Sequence, residues 1–342
     1  MRASAATTRP LPDGHRDGGP PLLSRRLCFV IGKGGVGKST VAAALGMSVA
    51  RTGRRTLVVE VPAGEHRSAL FARAHVRHGH ETEIAPNLWG LSIDVERATE
   101  EYLASQLRVR AMVELLAKSH AFHHFTAAAP GLAELVTIGK IWSLAVALRP
   151  DGRAPVWDYL VVDCPATGHG LALLEMAGNV GDLAASGPIR DQAERINQVV
   201  THPAATGIVV VARPDELPVT EAIETAATLR NRGLPVALAV MNGMRPSRFT
   251  PEEARVVRAA AERLADAPAA PALRAAAEAA VAELDRVDEG AAQAARLADG
   301  AALPVVELPE IDHRRFDLVA VRALSDALDA VPEPALRGPA AG

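Results

Sequence analysis

The stretch LCFVIGKGGVGKSTVAAALGMSVAR, Leu27 to Arg51, decides the fold. Its first five residues form a short apolar run typical of a buried strand, and its last eleven have the composition of a buried helix. Between them Gly32–Thr40, GKGGVGKST, satisfies G-x-x-x-x-G-K-[ST] in the setting that the pattern requires, after a strand and opening a helix. Gly32, Gly34, Gly35 and Gly37 allow the backbone to wrap closely round phosphate oxygens, with Val36 carried in the same turn. The N–H groups of the loop and the helix N-terminus supply positive potential there. Lys38 is expected to reach the β- and γ-phosphates. The Ser39 hydroxyl is expected to ligate Mg²⁺, with Thr40 completing the loop.

Working outward, other short Val/Ile/Leu runs predict strands at Thr56–Val61, Leu88–Ile93, Tyr159–Asp163, Gly207–Val211, Val236–Met241 and Pro304–Leu308. Helical spacing predicts Val41–Arg51, Gly170–Ala177, Val219–Arg230, Glu252–Ala265, Leu273–Asp285 and Val319–Leu328, with the alanine-rich run Pro271–Leu297 read as a surface helix pair. Alternation of the two implies an α/β fold, a parallel β-sheet flanked by helices on both faces. Residues 1–22 and 331–342 read as disordered tails around one domain at 23–330. Residues from about 96 to 150 read as a helical insertion between two strands.

Composition excludes several function classes. Net charge is −3 over 342 residues and aromatic residues are 3%, so neither a basic field nor stacking platforms for nucleic acid are expected. No run approaches a membrane span and the N-terminus has no apolar signal segment, so the expectation is a cytoplasmic protein without an integral membrane segment. Cys28 and Cys164 are the only cysteines, too few for a structural zinc site or a disulfide framework. Only four of the 37 basic residues are lysines (Lys33, Lys38, Lys118 and Lys140), and two of the four occupy the glycine-rich loop.

A second chemical element is WDYLVVDCPATGHGLALL, Trp157 to Leu174. An apolar strand that ends in Asp163 has the form of a Walker B element, whose carboxylate holds Mg²⁺ through water.

These segments resemble particular families. A lysine directly after the first glycine, Lys33, resembles the deviant Walker A loop of the MinD, ParA, NifH and ArsA group. That resemblance implies a nucleotide-sandwich dimer in which Lys33 reaches the nucleotide of the facing subunit. DCPATGHGLALL resembles the second switch of the ArsA/anion-transporting ATPase family, matching it at Asp163, Thr167, Gly168 and His169 but not at Cys164, Pro165, Ala166 or Gly170. The segments APGLAELVTIGKI (129–141), ARPDELPVTEAIETAATL, VALAVMNG and LPVVELPEI extend the likeness over about residues 27 to 328, closest to the short actinobacterial type. The resemblance implies Asp215 where glutamate is usual, Asn242 as the adenine reader and Pro309 in a loop that packs on the base. It implies ATP and Mg²⁺ as the cofactors, and ATP hydrolysis with Lys33, Lys38 and Asp163 as catalytic residues; Glu60 is counted with them as a candidate substitute for the family's switch aspartate.

The sequence also departs from that pattern. The family's first switch reads D-P-A-H-S-L, whereas VVEVPAGEHRSAL has Val61 at the aspartate position. Glu60 and Glu65 are the carboxylates within reach of its role, and Glu60 equally suits the Mg²⁺ shell or a turn cap. That replacement leaves open a homodimer, or a heterodimer with a related ATPase in which this subunit hydrolyses weakly and regulates. The cysteines of arsenite-efflux members are missing, so no arsenite site is expected. A protein client on the insertion would use Leu103, Leu107, Met112, Leu115, Leu116, Phe122 and Phe125, residues that suit an ordinary core as well. His120, His123 and His124 read as a solvated cluster. A MinD/ParA-like positioning role ranks lowest, because the PEPALRGPAAG tail is neither amphipathic nor basic.

Overall fold

The computed structural model describes residues 7–9, 21–61, 76, 78–95, 97–99, 132–183, 188–265, 271–311 and 317–331. In chain order the strands and helices are β1 (Thr7–Arg9), β2 (Leu27–Gly32), α1 (Lys38–Arg51), β3 (Thr56–Glu60), β4 (Thr82–Ala85), β5 (Leu88–Ser92), α2 (Leu132–Val146), β6 (Tyr159–Asp163), α3 (Thr167–Leu183), α4 (Pro188–Thr201), β7 (Thr206–Ala212), α5 (Glu216–Asn231), β8 (Val236–Met244), α6 (Pro251–Leu264), α7 (Pro271–Ala301), β9 (Val305–Pro309) and α8 (Leu318–Asp329).

The nine strands form one sheet in the order β1-β9-β8-β7-β2-β6-β3-β5-β4. Every pairing from β9 to β5 is parallel, and only the two edges, β1 on β9 and β4 on β5, run antiparallel. The α/β class and the parallel sheet are as the sequence implied. Leu27, Phe29 and Ile31 of β2 face one buried layer and Cys28 and Val30 the other, the period-2 alternation of a strand covered on both faces. On one face α2, α4, α5 and the C-terminal half of α7 bury Val136, Ile138, Ile196, Leu229 and Leu297. On the other, α1 is buried along nearly its whole length between the sheet and α8. Alanines and Gly46 make this close approach feasible, since a Cβ at Gly46 would lie 2.5 Å from Val58 Cγ2.

Three local differences from the sequence reading have clear causes. The alanine-rich run is one 31-residue helix, α7, rather than a pair. Gly290 within it is a packing position, where a Cβ would lie 3.7 Å from both Met244 Cε and Pro214 Cβ. β4 has no buried residue, so no apolar run announced it, and it forms by pairing with β5. Thr7–Arg9, in the stretch expected to lack regular structure, pairs with β9, and Leu22 is fully buried.

Within the expected insertion, α2 packs into the core beside α3. The apolar candidates from Leu103 to Phe125, the histidine cluster and Glu65 lie outside the described residues. Among the described residues, no helix is long and apolar enough to cross a membrane.

β2 is the point where the sheet order reverses. The chain leaves it through α1 for β3 on one side and later returns to β7 on the other. In open α/β sheets the crevice outside the strand C-termini at such a point is where ligands bind.

Candidate functional site

The loop from Gly32 to Gly37 lies at that crevice. Gly32 is required by close approach, because a Cβ there would stand 2.4 Å from the Val211 carbonyl oxygen of β7. Gly37 is required twice over. It caps α1 at φ 91°, in the left-handed region, and an added Cβ would lie 2.2 Å from Asn242 Nδ2. Asn242 donates from Nδ2 to the Val36 carbonyl over 2.9 Å, so the β8 terminus braces the loop directly. With its amide hydrogens turned to the loop, the Oδ1 acceptor is the end left to meet a donor on a ligand. Val36 itself is buried in the α1-side core, which anchors the loop directly after its two exposed glycines, Gly34 and Gly35.

Beneath the loop, the ends of two adjacent strands and the start of α1 bring three charged side chains together in a dry environment. Lys38, Glu60 and Asp163 are 9%, 4% and 4% exposed. Glu60 ends β3 and Asp163 ends β6, and the parallel register sets them side by side. Lys38 Nζ donates to the Lys33 carbonyl over 2.9 Å. Burial lowers the pKa of Lys38, opposed mainly by the Asp163 charge. Burial pushes the Asp163 carboxyl up to about 7; its hydrogen bond with the Ser39 side chain and the Lys38 charge pull the other way, while Glu60 adds to the rise. A carboxylate so placed lacks the solvation that it needs as an anion.

Asp163 Oδ1 is buried without a hydrogen-bond partner. A buried orphan acceptor beside a serine hydroxyl and a second carboxylate suits a hard divalent cation, which takes oxygen ligands. Among the described residues, no three His, Cys, Asp or Glu side chains are grouped as a metal site, so such a cation would draw its other ligands from phosphate oxygens and water.

The second-switch segment follows Asp163 directly. Cys164 is buried, its N–H donates to the Val30 carbonyl, and burial pushes its thiol pKa well up, which removes it from thiolate chemistry. A Cβ at Gly34 would stand 4.0 Å from Ala166 Cβ, so the segment lies along the glycine-rich loop. Thr167 starts α3 and His169 is exposed in its first turn.

The remaining expected residues are more scattered. Asp215 caps the start of α5, exposed, with its carboxylate 3.9 Å from Arg213 Nε. Pro309 is the buried last residue of β9, ending the strand rather than lying in the loop that follows. Lys33 points its ammonium at α5 of its own chain, where Nζ lies 2.6 Å from Glu221 Oε1. Sequence reasoning missed Glu221. The α5 segment carries Glu216, Glu221 and Glu224 within three turns, and only the seating of that helix beside the loop singles one out.

Comparison with known proteins identifies the chain's relatives. The family model described as Anion-transporting ATPase matches residues 25–185, from the approach to β2 through α3. The chain is 35% identical over 246 residues to the ATPase BagA of Mycobacterium tuberculosis, covering 70% of this chain and 72% of that protein. It is 28% identical to a putative arsenical pump-driving ATPase of Halobacterium salinarum, over 67% of this chain and 37% of that longer protein. It is 24% identical to the arsenical pump-driving ATPase of Escherichia coli, over 66% and 40% respectively.

Proposed function

This chain belongs to the anion-transporting ATPase family, and from that premise we propose that it is a Mg²⁺-dependent ATPase working as a nucleotide-driven dimeric switch. The observation that carries the reading is the convergence of Lys38, Ser39, Asp163 and Glu60 under one glycine-rich loop, at the ends of three adjacent strands.

ATP would lie with its triphosphate along Gly32–Thr40 and its base toward Asn242 and the β9 terminus. Asn242 Oδ1 accepts from the adenine amino group, while its Nδ2 keeps the loop in shape. Lys38 turns from the Lys33 carbonyl to the β- and γ-phosphates, and its compact ammonium suits a point contact with phosphate. Ser39 and Asp163 would hold Mg²⁺, which when bound neutralises charge on the phosphate oxygens. Glu60 positions the attacking water for in-line displacement, a carboxylate supplied from the end of β3 in place of the aspartate that Val61 replaces. Lys33 of a facing copy adds a second cation to the developing charge. The output is a change in dimer geometry that reshapes a client surface on the segment between β5 and β6. An arsenite pump is not part of this reading, because the chain has only two cysteines, both buried and in separate places.

The deciding measurement is steady-state phosphate release with Mg·ATP, set beside direct ATP binding. Lys38→Ala is expected to lower turnover by at least about a hundredfold, the scale of losing one preorganised charge stabiliser. Wild-type turnover at the level of Lys38→Ala, with ATP binding retained, would overturn the enzyme reading. It would favour the second one, a weakly hydrolysing regulatory subunit paired with a related ATPase, to which Val61 at the first-switch position already points.

A further inference from the structure

We propose that Glu221 is a cis latch on Lys33. The ion pair that it makes within one chain must open before Lys33 can act on a nucleotide held by a second copy. Glu221 therefore sets how readily the ATP-bound dimer forms and how readily it separates afterwards. The inference rests on the dimeric reading above.

The geometry fixes Lys33 at two points. Its Nζ is 2.6 Å from Glu221 Oε1, and its carbonyl oxygen accepts the Lys38 ammonium. The α5 side of the latch is itself held in place. Thr225 Oγ1 donates to the Glu221 carbonyl over 2.7 Å. Arg296 of α7 donates to Thr220 Oγ1 over 2.8 Å, and Arg230 donates to the Ala301 carbonyl. Lys33 and the phosphate-facing Lys38 are thus joined through one peptide group, so nucleotide that draws Lys38 away also loosens the backbone from which Lys33 projects.

Magnitudes decide what such a latch can do. The Lys33 and Glu221 side chains are 36% and 33% exposed, so solvent screens the pair. Exposed pairs of this kind shift equilibria by roughly fivefold or less. A triphosphate, with several negative charges, outcompetes a single carboxylate for Lys33, so the latch does not block the ATP-bound dimer. Once the γ-phosphate leaves, the margin narrows and Glu221 recaptures the lysine. A weak latch is therefore enough to bias the ADP state toward separation. Each dimer opens two latches, so their effects multiply.

The test uses the full chain and the variants Glu221→Gln, Lys33→Ala and the double variant. The first readout is amine acetylation of the nucleotide-free protein followed by peptide mass spectrometry, which separates the chain's four lysines. Glu221→Gln is expected to raise the Lys33 labelling rate, relative to Lys140 in the same sample, by about threefold. An unchanged ratio overturns the latch. The second readout is the protein concentration for half-dimerisation with Mg²⁺ and a non-hydrolysable ATP analogue. Glu221→Gln is expected to lower it by about tenfold, the product of two released latches, and the effect should vanish on the Lys33→Ala background. No change, or weaker dimers in Glu221→Gln, overturns the proposal. If labelling responds but no variant dimerises under any nucleotide, the dimeric reading fails and the latch loses its purpose. If the wild type dimerises but Glu221→Gln alters neither readout, the latch alone fails.

Discussion

The central strands β2, β6 and β3 carry buried charge at both ends, and the two ends treat it differently. At their N-terminal ends, Arg25 donates from Nη1 to the Thr206 carbonyl over 2.9 Å. Arg54 donates to the carbonyls of Leu23 and Asp158. Arg55 donates from Nε to the Val156 carbonyl and stacks over both Trp89 and Trp157, with centroid distances of 4.6 and 5.2 Å. These three arginines meet fixed backbone acceptors and aromatic faces, while the neighbouring Arg26 keeps Nε and Nη2 buried without a hydrogen bond, the exception at this end. At the C-terminal ends, Asp163 is buried with one oxygen lacking a hydrogen bond, beside a second carboxylate and a desolvated lysine. Charge that the fold itself satisfies holds the sheet together, whereas charge left short of partners in a crevice marks where a ligand completes the set.

The comparison can be broken by three further substitutions. The largest effect is expected for Arg25→Met at the satisfied end. It leaves the Thr206 carbonyl without the guanidinium and removes packing over Gly207, where an added Cβ would stand only 3.0 Å from Arg25 Nη1. A loss of about 2–3 kcal/mol should appear as a Tm drop of roughly 5 °C, with the affinity of the folded protein for ATP unchanged. A variant that loses ATP affinity while keeping its Tm would show that the two ends are not separable in this way.

Asp163→Asn should act in the opposite direction on the nucleotide-free protein. Its folded pKa is raised from 3.8 to about 7, so the stability tied to the protonated carboxyl is complete below about pH 4 and is lost as pH rises to 7. The asparagine variant escapes that loss. Its Tm should exceed the wild type's by a few degrees at pH 8, the gap should narrow by pH 5, and Mg²⁺-dependent turnover should fall. A stabilisation that does not vary with pH would contradict the role given to the unsatisfied carboxylate.

The smallest effect is expected at a third kind of charge, on the surface of the helical pair α6–α7. Half-buried Arg258 bridges the exposed Asp285 and Asp288 at 2.6 and 2.7 Å. Arg258→Ala should move Tm by less than about 1 °C in a thermal melt, because water and salt replace the pair. A larger drop would mean that α6 depends on those pairs, and this comparison would sharpen accordingly, since α6 buries no residue of its own.

Much of this arrangement was legible in the chain. The strand–loop–helix from Leu27 to Arg51 announced itself through composition and an ordered set of glycines, lysine and hydroxyl, and Asp163 through its place at the end of an apolar run. Glu60 was visible as a carboxylate at a strand end, though not as the lateral neighbour of Asp163. β4 was illegible because an edge strand without buried residues has no apolar signature. The single helix α7 was misread as a pair because a long run of good helix formers does not say where one helix ends and the next begins.

The sequence by itself determined the sheet-and-helix class, the glycine-rich strand–loop–helix and the family to which the chain belongs. Those rest on local patterns: period 2 along strands, turns that only glycine can make, and a lysine and hydroxyl at fixed spacing. Tertiary structure alone decided that Glu60 and Asp163 share one dry pocket with Lys38, that Asn242 braces Val36, and that Glu221 holds Lys33. Each of these contacts joins residues at least 22 positions apart. Strand order and helix seating are set by the burial of two apolar layers over the whole sheet, and that packing chooses which charges meet.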